Sequence, residues 1–345
     1  MVRKREKIRV GISIGDINGV GVELFLKCMS KTSLLDKCTP VLFASMDVCE
    51  AYRRKINQKQ INTLTFEKIT HIDKIIEGAI NIIELWKDKI DITPGIAKKK
   101  MGKYARLSLL SAMKALELGH IDTLVTAPLN KELVYHKKEF PFIGHTPYLA
   151  HAFKKEPLMF MLHEQIKVAL LTDHLPLKKV SSFITRDLLF EKLNILIHSL
   201  QRDFFIAKPK IALLSLNPHA GDKGLIGKED EKIIKPIIED FSKQGMDVSG
   251  PFAADGFFGS GHYRYFDAIL AMYHDQGLIP FKMLAFNQGV HFTAGLPYIR
   301  TSPDHGVAYD KAGSFKADES SFLKAIYSSM ELFNNRLIYM NKPTI

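Results

Sequence analysis

The chain has 345 residues, 46% of them hydrophobic, with 48 Lys and Arg against 37 Asp and Glu for a formal net charge of +11. This length and apolar share supply one large or two moderate domains and exclude a disordered or fibrous protein. The basic balance raises nucleic acid as a partner, but the lysines are scattered along helical faces and no aromatic-basic recognition motif appears, so it suits anionic substrates instead.

The N-terminal stretch MVRKREKIRVGISIG is basic, then apolar for about one strand, and ends in glycine without a small-residue cleavage pattern, so it does not read as a signal peptide. No window approaches the roughly 20 apolar residues of a membrane span, and the expectation is a soluble, cytoplasmic protein with no membrane or nucleic-acid partner. Cys28, Cys38 and Cys49 show no CxxC pairing and read as reduced cytosolic thiols.

Along the chain, strand-like runs at 8–14, 40–44, 81–84, 122–126, 166–172, 210–216 and 267–272 alternate with helical patterns at 20–29, 98–118, 186–201, 229–243 and 319–334. The alternation predicts an α/β fold with a largely parallel sheet. Within 98–118, Met101, Ala105, Leu109, Ala112 and Leu116 recur at helical spacing and mark a core face. No repeat, linker or low-complexity tract marks a boundary, so a two-domain division must be interleaved.

The first strand runs into GISIGDINGVGVE, a glycine-rich turn opening a helix. Its backbone N–H groups suit an anion, but it lacks the GxGxxG spacing and reads more simply as a tight strand-to-helix connection. After 122–126, the loop VTAPLNKE offers Thr126, Asn130 and Lys131, with Pro128 suited to helix entry. In PFIGHTPYLAH, Thr146 followed by Pro147 reads as an N-cap, and His145 adds a donor at that helix start. The segment NPHAGDKGLIGKEDE is a glycine-containing loop leading to an acidic helix start.

The densest chemistry lies in Ala271 to Gly306, which holds His274, Asp275, Lys282, His291, Arg300, Asp304 and His305. His174, His219 and His274 each follow a strand-like run, and ligands collect beyond the carboxyl ends of strands in open α/β sheets. A histidine near an apolar run is usually a packing or hydrogen-bonding residue, yet three at strand ends can converge. Their wide spacing excludes a zinc finger, and three protein ligands leave open positions of the kind a catalytic metal needs.

The blocks TAPLNKE, GHTPYLA, LLTDHLPL, LSLNPHAGDKGLIGKED, GPFAADGFF, AMYHDQGLIPFK and GLPYIRTSPDHGVAYD together resemble the 4-hydroxythreonine-4-phosphate dehydrogenase family of pyridoxal phosphate biosynthesis, over about residues 8 to 315. The resemblance implies an isocitrate/isopropylmalate dehydrogenase-like three-layer α/β/α fold with two interleaved subdomains. These would be 1–135 plus 286–345, and 136–285 carrying the metal ligands and a dimer interface.

It further implies that His174, His219 and His274 bind a divalent metal (zinc, cobalt, magnesium or manganese), with Asp255 of GPFAADGFF and Asp275 as further catalytic groups. His145, Thr146, Lys282 and Arg300 would contact the substrate. His291 stands where the family has asparagine, which alters that substrate contact, and Asp304, His305 and Gly306 would belong to the loop for NAD, with NADP as the alternative. GDINGVGVE and AYDKAGSF also depart from the family's GDPAGIGPE and AFDIAGKG.

The implied reaction is oxidation of 4-phosphooxy-L-threonine to a beta-keto acid that loses carbon dioxide to give 3-amino-2-oxopropyl phosphate, in a homodimer with a shared active site. The alternative is a dehydrogenase of a phosphorylated four-carbon sugar acid of the threonate or erythronate 4-phosphate type. A catalytically silent metal- or nucleotide-binding protein on the same fold is disfavoured by intact His174, His219, His274, Lys282 and Arg300.

Overall fold

The computed structural model describes residues 6–31 and 33–341. Its twelve strands are β1 (Ile8–Ser13), β2 (Cys38–Ala44), β3 (Phe66–Ile69), β4 (Ile80–Glu84), β5 (Thr123–Thr126), β6 (Leu158–His163), β7 (Ile166–Leu170), β8 (Lys210–Leu214), β9 (Asp247–Phe252), β10 (Ala268–Ala271), β11 (Val290–Ala294) and β12 (Ile299–Pro303). The chain forms two compact units, Met1–Lys155 with Leu296–Phe333, and Glu156–Gly295 with Asn334–Ile345. No helix among the described residues is long and apolar enough to cross a membrane.

In the first unit the strand order is β3-β4-β2-β1-β5-β12 and every pairing is parallel. Parallel strands need crossovers, and the helices Gly21–Met29, Met46–Ile56 and Lys99–Glu117 supply them. The longest follows its sequence pattern: Met101, Ala105, Leu109, Ala112 and Leu116 are all buried. Leu109 and Ala112 join Val41, Phe43, Leu124 and Leu149 in one apolar cluster. Leu149 belongs to the helix His145–Phe153, so that helix stays with the first unit, which extends to Lys155 and not to residue 135.

The second unit has the order β11-β6-β7-β10-β8-β9. Here β7, β10, β8 and β9 run parallel, whereas β6 is antiparallel to both β11 and β7. The pairing of β11 with β6 keeps residues 290–294 in this unit and moves its second boundary to Gly295. Val168, Leu170, Ala212, Leu214, Ile269 and Phe281 form its core on one side of the sheet.

All three cysteine side chains are buried. Burial pushes the Cys38 thiol up to about 12 and raises those of Cys28 and Cys49 further.

One buried ion cluster fixes the end of the chain in the second unit. Asp203, fully buried at the end of the helix Arg186–Asp203, accepts from Arg202 Nε at 2.8 Å and from Arg336 Nε at 2.9 Å, and Asn335 Nδ2 donates to its carbonyl at 2.9 Å. Burial alone would raise the Asp203 carboxyl, but the two guanidinium groups outweigh it and hold the carboxyl below its ordinary value. A depressed folded-state pKa gives stability that is complete above the unfolded value of about 4 and is lost as pH falls through the lower folded value. Replacing Asp203 with Ala removes the carboxylate shared by the buried Arg336 and the half-buried Arg202, so denaturant unfolding at pH 7 should show a loss of about 3 kcal/mol. The variant should also lose less stability than the parent on acidification from pH 5 to pH 2, and equal acid slopes would disprove the assignment.

Candidate active site

Parallel pairing sets β7, β10 and β8 side by side with their carboxyl ends at one edge, and the loops that follow carry His174, His274 and His219 respectively. These strand ends are laced together by side chains. Thr172 Oγ1 donates to the Met272 carbonyl at 2.7 Å. Gln276 accepts from Met272 N at 2.7 Å and donates to the Ser215 carbonyl at 2.6 Å, which ties the end of β10 to the end of β8.

His274 is the first residue of the helix His274–Ala285. Its ring lies beside that of His174, with centroids 5.7 Å apart and planes inclined by 57°. Each imidazole has its own carboxylate, with His274 Nδ1 2.7 Å from Asp275 Oδ1 and His174 Nδ1 3.5 Å from Asp173 Oδ2. Burial acts to raise the Asp173 carboxyl, but hydrogen bonds from the His174 side chain and backbone outweigh it and bring it to about 2. A carboxylate on Nδ1 orients an imidazole and leaves Nε2 for a metal.

Two imidazoles bound tetrahedrally to one ion at about 2.0–2.1 Å have ring centroids roughly 5 Å apart, close to the observed separation. The third expected ligand does not join them. Among the described residues, no group of three or more His, Cys, Asp or Glu side chains is arranged to hold a metal ion.

His219 is instead exposed in a turn of unusual backbone. From His219 to Lys223 every residue has positive φ, between 41° and 77°, and only Gly221 among them is a glycine. Each non-glycine in that region costs about 1–2 kcal/mol, so neighbouring structure must hold the turn. Fully buried Asp230 does so: its carboxylate accepts from Leu216 N at 2.8 Å, Asn217 N at 3.1 Å and Asn217 Nδ2 at 2.8 Å. Lys282 is half-buried on the helix that starts at His274, Asp275 and Asp255 are exposed at helix starts, and His291 lies on β11.

The first unit gathers its polar residues at the ends of β1, β5 and β12. Arg300, 3% exposed on β12, donates from Nε to Thr126 Oγ1 at 3.2 Å, and burial lowers its pKa to about 9. Asn130 turns out to be a cap: its Oδ1 accepts from Glu132 N at 3.0 Å and Leu133 N at 3.2 Å, and Pro128 lies outside that helix. The next helix is capped by Gly144 with φ 105°, so Thr146 is its second residue and not its N-cap. Lys131 lies against Gly144, with Cε 3.5 Å from where a Cβ would stand.

The turn GDINGVGVE is built around buried acids and amides. Asn18 Nδ2 donates to the Ile96 carbonyl at 2.9 Å, and its Oδ1 accepts from Thr93 N at 3.1 Å. Gly15 needs both its φ of 68° and its missing side chain, since a Cβ would stand 2.2 Å from the Pro128 carbonyl. Asp304 is tied by its N–H and carboxylate to Ser321. In the adjoining loop, Gly306 is exposed and the half-buried His305 has a buried Nε2 with no hydrogen-bond partner among the described residues. A cavity of about 350 Å³ beside this loop is lined by Lys55, Pro94, Ala312, Gly313 and Phe315. That volume, with Lys55 in its wall, fits part of a dinucleotide. Sequence reasoning passed over Asp16, Asn18 and Asp230 as site-builders, because a buried acid or amide has the same one-letter signal as a surface one.

In the second unit, strand-end loops carrying paired imidazoles on an α/β scaffold are of the kind that enzyme sites present. Residues 36–329 match the family described as pyridoxal phosphate biosynthetic protein PdxA. A 4-hydroxythreonine-4-phosphate dehydrogenase of Bacteroides thetaiotaomicron is 44% identical over 335 residues, covering 96% of this chain and 91% of that one. Among solved structures, the 4-hydroxythreonine-4-phosphate dehydrogenase of Klebsiella pneumoniae superposes with a TM-score of 0.82 at 30% identity, over 96% of this chain and 99% of the other. That of Burkholderia phymatum gives 0.77 at 32% identity, over 95% and 99%. The chain belongs to the PdxA family. It is an oxidoreductase by that membership.

The role given to Asp230 is testable. Asp230→Ala leaves the N–H groups of Leu216 and Asn217 without their acceptor, while Asn217 Nδ2 keeps Glu229, so at about 1–3 kcal/mol for each lost acceptor thermal or urea unfolding should show a loss of about 2 kcal/mol or more. A change under 1 kcal/mol would show that the turn holds itself.

Proposed function

We propose that this protein oxidises 4-phosphooxy-L-threonine with NAD and a divalent metal, giving a beta-keto acid that decarboxylates to 3-amino-2-oxopropyl phosphate. The observation that carries the reading is the 44% identity, over nearly the whole of both chains, to a protein named for that substrate. The paired imidazoles of His174 and His274 support the metal, and the cavity beside the loop after β12 supports the dinucleotide.

The residues take these roles by their chemistry. His174 and His274 present Nε2 while Asp173 and Asp275 hold their other nitrogens. His174 and His274 would hold a divalent ion, which would supply Lewis acidity toward a substrate hydroxyl and toward the charge left by departing carbon dioxide. Lys282 and Arg300 are the cations assigned to phosphate and carboxylate, Arg300 held in orientation by Thr126. His145 and Thr146, at the start of a nine-residue helix, add donors for an anion. Asp255 and Asp275 are assigned to proton handling and ligand orientation, and His291 to a polar substrate contact. Asp304, His305 and Gly306 are assigned to the dinucleotide loop.

A site shared between two protomers would account for the incomplete ligand set in one chain. His174 and His274 adjoin in one protomer, and His219, on its exposed left-handed turn, is assigned to the partner's ion. The helix His274–Ala285 exposes Ile279 and Met283, followed by Phe286, at helical spacing, an apolar stripe of the kind a homodimer covers.

The direct test follows the absorbance of reduced cofactor with purified protein, both phosphorylated substrates, and metal removed and restored. The expected result is turnover of 4-phosphooxy-L-threonine that a chelator abolishes and a divalent metal restores. Turnover of the four-carbon sugar-acid phosphate alone would replace the substrate, and no turnover of either would refute the dehydrogenase reading.

Subunit mixing tests the shared site. His219→Ala protein exchanged with His274→Ala protein should regain activity, because one of the two sites in the heterodimer carries neither defect. His174→Ala with His274→Ala should stay inactive, because each heterodimer site then loses one imidazole of the pair. Recovery in the second mixture, or none in the first despite demonstrated exchange, counts against this arrangement.

A further inference from the structure

The loops after β1, β5 and β12, three neighbouring strands of the first unit, meet at one phenol. Asp16, 2% exposed, accepts from Tyr309 Oη at 2.5 Å on Oδ2 and from Asn18 N at 2.9 Å on Oδ1. Tyr309 Oη in turn accepts from Asn130 Nδ2 at 3.2 Å. The Asn130 amide cannot flip, since its Oδ1 already accepts from two backbone N–H groups of the helix it caps. The proton order is therefore fixed: amide to phenol, phenol to carboxylate.

Burial raises the Asp16 carboxyl, opposed by the bonds from Tyr309 and Asn18, and burial together with the neighbouring carboxylate pushes the Tyr309 phenol up.

The main chain around Tyr309 is under strain that this junction offsets. Ala308 has φ 48°, a left-handed conformation in a residue with a side chain. The preceding carbonyl, of Val307, accepts from Val20 N at 3.1 Å. On the other side Gly95, φ 86°, passes so close that a Cβ would stand 3.0 Å from the Tyr309 carbonyl. Ala312 and Gly313, three and four residues further on, form part of the cavity wall.

We propose that Tyr309 is a positioning residue for the dinucleotide: through Asp16 and Asn130 its hydroxyl holds the loop Asp304–Gly313 in the shape that forms the cofactor cavity. The proposal rests on the reading of that loop as the cofactor site. Phenylalanine would keep the ring and remove the one oxygen that both partners use, leaving a desolvated carboxylate without its strongest donor. The loop would retain its backbone bond to Val20 but lose preorganisation, so the loss falls on dinucleotide binding and not on the contacts of the phosphorylated substrate.

The test is calorimetric titration of the metal-loaded dimer with reduced dinucleotide, beside steady-state kinetics, for the parent, Tyr309→Phe, Asp16→Asn and the double variant. In Tyr309→Phe the dinucleotide Kd should rise about tenfold, the equivalent of one charge-assisted hydrogen bond, while KM for the phosphorylated substrate stays within about twofold. In the double variant no unpaired charge remains, so its loss should be clearly smaller than the product of the two single losses.

An unchanged Kd in Tyr309→Phe overturns the proposal, as do multiplying losses in the double variant or a substrate KM that rises in step. If Tyr309→Phe does not fold, Asp16→Asn stands alone: a raised dinucleotide Kd at constant substrate KM supports the proposal, and an unchanged Kd overturns it. A parent protein that binds no dinucleotide overturns both the cofactor reading and this inference, whereas tight parental binding with an indifferent variant removes only the inference.

Discussion

Parallel pairing is the constraint on which the chemistry of this chain depends. Because β7, β10 and β8 run in the same direction as neighbours, residues far apart in sequence are delivered to one edge of a sheet without any local motif. The first unit repeats the device with β1, β5 and β12. Beyond the strand ends lie backbone groups that no further pairing can satisfy: Gln276 and Asp230 complete the hydrogen bonding after β10 and β8, and Asn130 caps the short helix after β5. The side chains that finish the fold are thus the ones that fix the loops.

Much of this was legible in the sequence, for identifiable reasons. The buried strands β1, β2, β4, β5, β7, β8 and β10 are short apolar runs between turn residues, and the helix Lys99–Glu117 has an unbroken apolar face. The missed strands are less regular. β9 contains Gly250 and Pro251, β12 ends in Pro303, and β3 carries Glu67 and Lys68 at the sheet's edge. Antiparallel β6 and β11 sit in LMFMLH and VHFTA, runs too short to separate a strand from a helix by period.

The candidate site was legible as residue types and only partly as geometry. Strand-end placement sets the rings of His174 and His274 side by side, but the same reasoning did not foresee the left-handed turn that carries His219, since only Gly221 and Gly224 advertise it. Thr146 followed by Pro147 has the chemistry of a cap, yet Gly144 takes the position because the chain enters the helix with φ 105°, which glycine alone adopts easily. Asp16 and Asp230 act through burial, a property that arises from the assembled fold.

The buried thiols of the first unit give the molecule an unplanned gauge of its own integrity. Alkylating reagents attack thiolates, and with Cys38 held near 12 and Cys28 and Cys49 higher still, the folded unit offers almost none at neutral pH. Any labelling of these sulfurs must then pass through states in which the helices Gly21–Met29 and Met46–Ile56 or strand β2 have come away from the core. The rate of covalent capture, read cysteine by cysteine, becomes a map of how often each wall of the glycine-turn scaffold breathes.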